Sequence, residues 1–133
     1  MSHYSGAEAV IKHPMCLIAA LKEDGFDTVE YHEVPVPLVG YHGDKRAEVA
    51  NVIIRRKHIG TASNDIGFLF KDGKCTAIVS DYDRHKYGAA WLKGIVQGSA
   101  VQAAIMVARA SGETVTGCLK MPNGSVKIRI LAR

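Results

Sequence analysis

At 133 residues, 47% hydrophobic and 23% charged, the chain has the balance of one globular domain (residues 1–133), large enough to fold without a metal or a disulfide. Its three cysteines, Cys16, Cys75 and Cys118, are widely spaced, odd in number and without a CxxC pair; this excludes a recognisable zinc or disulfide framework and points to buried thiols in a reducing compartment, a cytosol or its equivalent. The net charge is +4, no run of about 18 apolar residues could span a membrane, and the start lacks the basic-then-apolar order of a secretory leader.

The first expected element is a short strand over residues 5–12. His13-Pro14 then places proline where a helix can begin, because its missing N–H costs nothing at the first helical position. Met15, Leu17, Ile18 and Leu21 form the apolar stripe of that helix, and Gly25 can take a left-handed cap. Alternation of Val29 and Tyr31 with Glu30 and His32 predicts a strand over 28–33. Pro35, Pro37, Gly40 and Gly43 make residues 34–46 an expected loop, and its length suggests a mobile connection or a contact surface.

Residues 48–56, rich in β-branched side chains, predict a further strand. Ile66, Phe68 and Phe70 alternate before Asp72-Gly73, a hairpin signal, and residues 75–80 return as the partner strand. Apolar residues recur at helical spacing over 89–110, giving one long helix or two short ones, with Gly94 and Gly98 marking a kink or a close crossing. Residues 113–120 and 125–131 flank Pro122-Asn123-Gly124, a second hairpin. The order β, α, four β, α, β, β predicts a two-layer α+β fold, a mostly antiparallel sheet with helices on one face and both hairpins in that sheet.

Several short motifs fall on these elements: Met1-Ser2-His3-Tyr4-Ser5, Val39-Gly40-Tyr41, Asn64-Asp65-Ile66-Gly67-Phe68 and Asn123-Gly124-Ser125-Val126. In these the chain resembles, over nearly its whole length, the conserved plastid and cyanobacterial open-reading-frame family number thirty-five, a domain of unknown function with relatives in bacteria and large phages. The chain has Ser80-Asp81-Tyr82-Asp83 where that family usually carries paired tryptophans, and Gly98-Ser99-Ala100 where it often holds an aromatic pair. The resemblance implies a fold rather than an activity.

Catalytic patterns are missing. No GxSxG surrounds a serine, the glycines at 40 and 43 lack the phosphate-loop spacing, and the cysteines fall at core positions, so neither a catalytic residue nor a cofactor is assigned. Asp81, Asp83 and His85, with His3 or His58, have residue types suited to a divalent transition metal, but Arg84 and Lys86 intervene and a polar turn is the preferred reading.

Charge is the better signal. Residues 1–44 hold seven acids against Lys12 and Lys22, a net of −5, leaving +9 on the remainder. Lys127 and Arg129 alternate with Val126, Ile128 and Ile130, and Arg55, with Arg56 and Lys57 at its rim, could join them on one basic sheet face. No stacking aromatic alternates with these cations, which weighs against a nucleic-acid platform. The first expectation is therefore a non-catalytic protein-interaction or adaptor module with an unidentified protein partner, using Pro35, Pro37 and Tyr41 of the loop. The alternative is a binder of nucleic acid or a small anionic nucleotide through the basic face; an enzyme comes third.

Overall fold

A computed structural model describes residues 3–122 and 125–131. Its elements are β1 (Tyr4–Ala9), α1 (Pro14–Glu23), β2 (Glu30–Val39), β3 (Lys45–Ile54), β4 (Ile66–Lys71), β5 (Lys74–Ser80), α2 (Ala89–Ala110), β6 (Thr114–Lys120) and β7 (Val126–Leu131), with short 3₁₀ turns at Arg56–His58 and Asp83–His85. This is the α+β order read from the sequence. Asn123-Gly124, the expected second turn, lies outside the described residues.

Both helices end by one device. After α1, Gly25 (φ +108°) donates to Lys22 O and Phe26 N to Leu21 O; after α2, Gly112 (φ +79°) donates to Arg109 O and Glu113 N to Ala108 O. These are paired Schellman bonds, which satisfy terminal carbonyls and need a residue tolerant of the left-handed region. The β4–β5 turn likewise sets Asp72 at φ 53° and Gly73 at φ 74°, the left-handed pair of a type I′ turn matched to strand twist.

Five strands form an antiparallel sheet in the order β1-β5-β4-β3-β2. Helix α1 carries the chain from one edge to the other, and the β2-to-β5 meander returns to pair with β1, Tyr4 opposite Ser80 and Ala9 opposite Cys75. One face of the sheet, with Val52, Ile54, Ile66, Phe68 and Ala77, packs against Leu17 and Leu21 of α1 and Ile95 of α2. Trp91 lies edge-on to Tyr87 with ring centroids 5.1 Å apart, and its Nε1 donates to Asp24 Oδ2 at 2.8 Å, tying α2 to the end of α1. On the opposite face Leu38, Ala50, Ile53 and Ile78 form a second cluster.

Three expectations change. The segment 34–46 is not a long loop: β2 runs through both prolines to Val39 and only the turn at 40–44 separates it from β3. Proline survives there because β2 is an edge strand, with no neighbouring strand on its outer side to require an N–H. Residues 32–35 bulge opposite Asn51 alone, and the Asn51 amide replaces the lost ladder bonds, donating to His32 O (3.0 Å) and Glu33 O (3.2 Å) while accepting from Phe70 N (2.8 Å). Secondly, β6 and β7 do not join the large sheet; they pair with each other as a separate two-stranded sheet. Thirdly, Cys118 on β6 is exposed, whereas Cys16 and Cys75 are buried as expected. Helix α2 is continuous. A Cβ at Gly98 would stand 3.2 Å from Ala20 Cβ, so this glycine marks the close crossing of the two helices. Among the described residues no helix is long and apolar enough to cross a membrane.

Two outcomes follow. A Cβ added at Gly67 would lie 2.6 Å from Ala50 Cβ and 2.8 Å from Leu38 Cδ2, so Gly67→Ala should destabilise by about 1–3 kcal/mol through overpacking, measured by urea unfolding. Burial pushes the Cys75 thiol up to about 12, so a thiol reagent should label Cys118 rapidly in the native protein and reach Cys75 only in denaturant.

Candidate functional site

Asn64 and Asp65 lead into β4 with almost no exposure, and the polar end of the molecule is assembled around them. Asp65 Oδ1 accepts from Arg56 N at 2.7 Å; Oδ2 accepts from Val39 N at 2.7 Å and from Arg55 Nη1 at 2.7 Å. Its backbone N donates to Val39 O (3.0 Å) and its carbonyl accepts from the Tyr4 hydroxyl (2.7 Å). One buried residue thus joins β1 through its carbonyl, and the ends of β2 and β3 to the start of β4 through its carboxylate. Burial foremost, and then the Asp65 charge, raises the Tyr4 phenol well above its ordinary pKa and keeps it a neutral donor.

Asn64 performs the same service for two turns. Its Oδ1 accepts from Tyr41 N (2.8 Å), its Nδ2 donates to Ser80 Oγ (3.0 Å) and its N donates to Asp83 Oδ2 (3.0 Å). Ser80 Oγ also donates to Asp83 Oδ2 at 2.8 Å. The 40–44 turn, the residues before β4 and the turn after β5 are therefore locked at one end of the sheet.

Arg55 is the ionic partner of this anchor. It grips Glu30 with both forks, Nε to Oε2 at 2.8 Å and Nη2 to Oε1 at 2.9 Å, besides its bond to Asp65. His32 Nε2 lies 2.7 Å from Glu30 Oε1. The Arg55 guanidinium, more than any other group, holds the Glu30 carboxyl down from its ordinary 4.5 to about 2, and that pair in turn raises Arg55 above its already high value.

The sequence-derived candidates divide accordingly. Arg55 is committed to two carboxylates. Arg56 is committed to none: its Nε donates to Ser63 O (3.0 Å), its Nη2 to Thr61 O (2.9 Å), and its guanidinium lies 5.8 Å from the centroid of the Tyr41 ring. Arg55, Arg56 and Lys57 line one open concavity of about 610 Å³ with Lys45 and Pro37. Pro35 and Pro37 are half-buried strand residues, while Tyr41 is 48% exposed. Lys127 and Arg129 lie on β7, in the other sheet, so the single basic face expected for Arg55, Lys127 and Arg129 is not formed. A separate, mainly apolar groove of about 530 Å³ runs between β1 and α2, past Ala7, Leu92 and Val96.

Asp81, Asp83 and His85 do not converge. Asp83 is buried against Asn64 and Ser80, Asp81 pairs with Arg84 at 3.2 Å, and His85 Nδ1 is bonded to Tyr82 O. Among the described residues no group of three or more His, Cys, Asp or Glu side chains is placed to hold a metal ion. The sequence reading missed Lys45 and the Tyr41–Arg56 contact; the only signal for the anchor was the polar pair Asn64-Asp65 standing directly before an apolar strand. No protein-family model, curated protein or solved structure matches the chain.

Because Glu30 has a depressed pKa in the folded state, its contribution to stability is complete above about 4.5 and is lost as pH falls toward 2. The stability gap between wild type and Glu30→Gln, measured by urea unfolding at several pH values, should therefore close on acidification. Asp65→Ala leaves two backbone N–H groups and one Arg55 N–H without their acceptor and should cost about 3 kcal/mol or more at neutral pH.

Proposed function

We propose that the chain is a non-catalytic protein-interaction module that docks through an arm formed by the second half of α2 and the β6–β7 hairpin. The single observation carrying this reading is that, among the described residues, the hairpin is a two-stranded sheet of its own and leaves apolar side chains in water. Val107 is 64% exposed, Leu131 62% and Leu119 56%, with Met106 and Ile130 also exposed. A two-stranded hairpin is marginally stable at best in water, and an apolar surface of this kind marks an interaction site on a soluble domain.

The register explains how the arm is divided. Val115 opposite Ile130 and Cys118 opposite Ile128 share one side, and Cys118 and Val126 border a cleft of about 360 Å³ facing Ala20 and Gly98 of the helices. Gly117 opposite Arg129 and Leu119 opposite Lys127 share the other, so the outward side mixes leucine with cations. Such a side suits a surface with carboxylates around apolar residues. A second copy of the chain offers exposed carboxylates at Glu23, Asp24 and Asp27, three of the seven acids in residues 1–44. The polar network around Asn64 and Asp65 supports the non-catalytic part of the reading, since its carboxylates and hydroxyl are spent on internal donors.

Light scattering on the purified chain should give a mass above the 14.4 kDa of one copy, rising between about 10 and about 100 µM protein. The double variant Val107→Glu, Leu131→Glu should return the monomer mass with the helical signal unchanged and with faster amide exchange in β6 and β7. A wild-type monomer at both concentrations with well-protected hairpin amides would refute the reading.

A further inference from the structure

The basic concavity at the end of β2 and β3 is independent of the arm and has a chemistry of its own. Four cations line it, Lys45, Arg55, Arg56 and Lys57, against the carboxylates of Glu30 and Asp65. Arg55 engages both carboxylates, so the charge left to act outward is that of Lys45, Arg56 and Lys57. Among the described residues neither lysine is in an ion pair, and both are exposed.

Arg56 is the distinctive member. Two backbone carbonyls, those of Thr61 and Ser63, fix the plane of its guanidinium without neutralising it. An arginine held in this way has already lost its rotamer freedom and keeps donors for a phosphate. Beside it stands the half-exposed ring of Tyr41, whose backbone is pinned by the buried Asn64 side chain. Cations next to an exposed aromatic ring are the two components by which proteins hold unpaired nucleotides, the cations following the backbone and the ring stacking on a base. A duplex keeps its bases stacked within the helix and offers no free base to Tyr41, and a peptide of Asp and Glu has no aromatic group to stack on the ring.

We propose that this concavity binds single-stranded nucleic acid, with Lys45, Arg56 and Lys57 taking phosphates and Tyr41 stacking on a base.

The probe is a fluorescein-labelled oligothymidylate or oligouridylate of roughly 15 nucleotides, with binding read by anisotropy. Three phosphate contacts predict a log–log salt slope of about −2, so affinity should fall about 20-fold between about 50 and about 200 mM salt. Lys45→Ala and Lys57→Ala should each flatten the slope by about 0.7. Tyr41→Ala should weaken binding roughly fivefold or more at every salt concentration. Arg56→Lys, used instead of alanine to keep the 61–63 turn intact, should weaken binding while leaving the melting temperature within a few degrees of wild type. Lys127→Ala, Arg129→Ala should bind as wild type, because both lie on β7, away from the concavity. No saturable binding at about 50 mM salt with protein up to about 100 µM would overturn the proposal. So would equal competition by polyglutamate of matching length, or loss of binding through Lys127 and Arg129 rather than through Lys45 and Lys57.

Discussion

The structure depends on a carboxylate that has no access to water. Burying Asp65 would be prohibitive for an unpaired ion, and its neighbours are arranged to prevent that: two backbone N–H groups, from Val39 and Arg56, and one guanidinium N–H reach its two oxygens at 2.7 Å each. These donors come from the ends of two different strands, so satisfying one side chain dictates where β2 and β3 stop and how β4 starts. Arg55, drawn to Asp65, is itself only half-buried and completes its valence on Glu30 at the beginning of β2. The first and last residues of the β2–β3 hairpin are thereby clasped together.

This clasp organises the surface as well as the interior. By taking Arg55 out of the exposed charge, it leaves Arg56 to be held by the carbonyls of the following turn, and the adjacent Asn64 fixes Tyr41 from the opposite side. The same end of the molecule therefore also carries a basic concavity. The arm has the contrasting character: among the described residues its strands form a sheet of their own, and its apolar residues are shared between an incomplete cleft over the helices and open solvent.

The sheet edges show how the fold guards against uncontrolled pairing. On β2, two prolines and the bulge at 32–35 interrupt the row of free N–H groups, and Asn51 absorbs the carbonyls that the bulge releases. On the other edge, β1 is only six residues long and carries small side chains and Glu8. Neither edge offers a long, flat template, and the exposed apolar surface is concentrated on the arm instead.

Local chemistry determined most of the elements. Proline at the start of α1, glycine after α1 and Asp72-Gly73 between β4 and β5 act through the backbone angles of one or two residues, and such constraints are written in the chain itself. The same holds for the alternation that marks Val126, Ile128 and Ile130 as a strand. Which sheet that strand joins is a different matter, since alternation specifies that a face prefers burial and not what will cover it. For the same reason the prolines of β2 read as a loop: only the order of strands reveals that β2 is an edge, where a missing donor costs nothing. The cations were visible, but their roles were not. Arg55 and Arg56 are neighbours in sequence with the same side chain, yet one is neutralised by Glu30 and Asp65 and the other is held uncompensated against Tyr41, because electrostatic partners are chosen by distance in space, which tertiary packing alone decides.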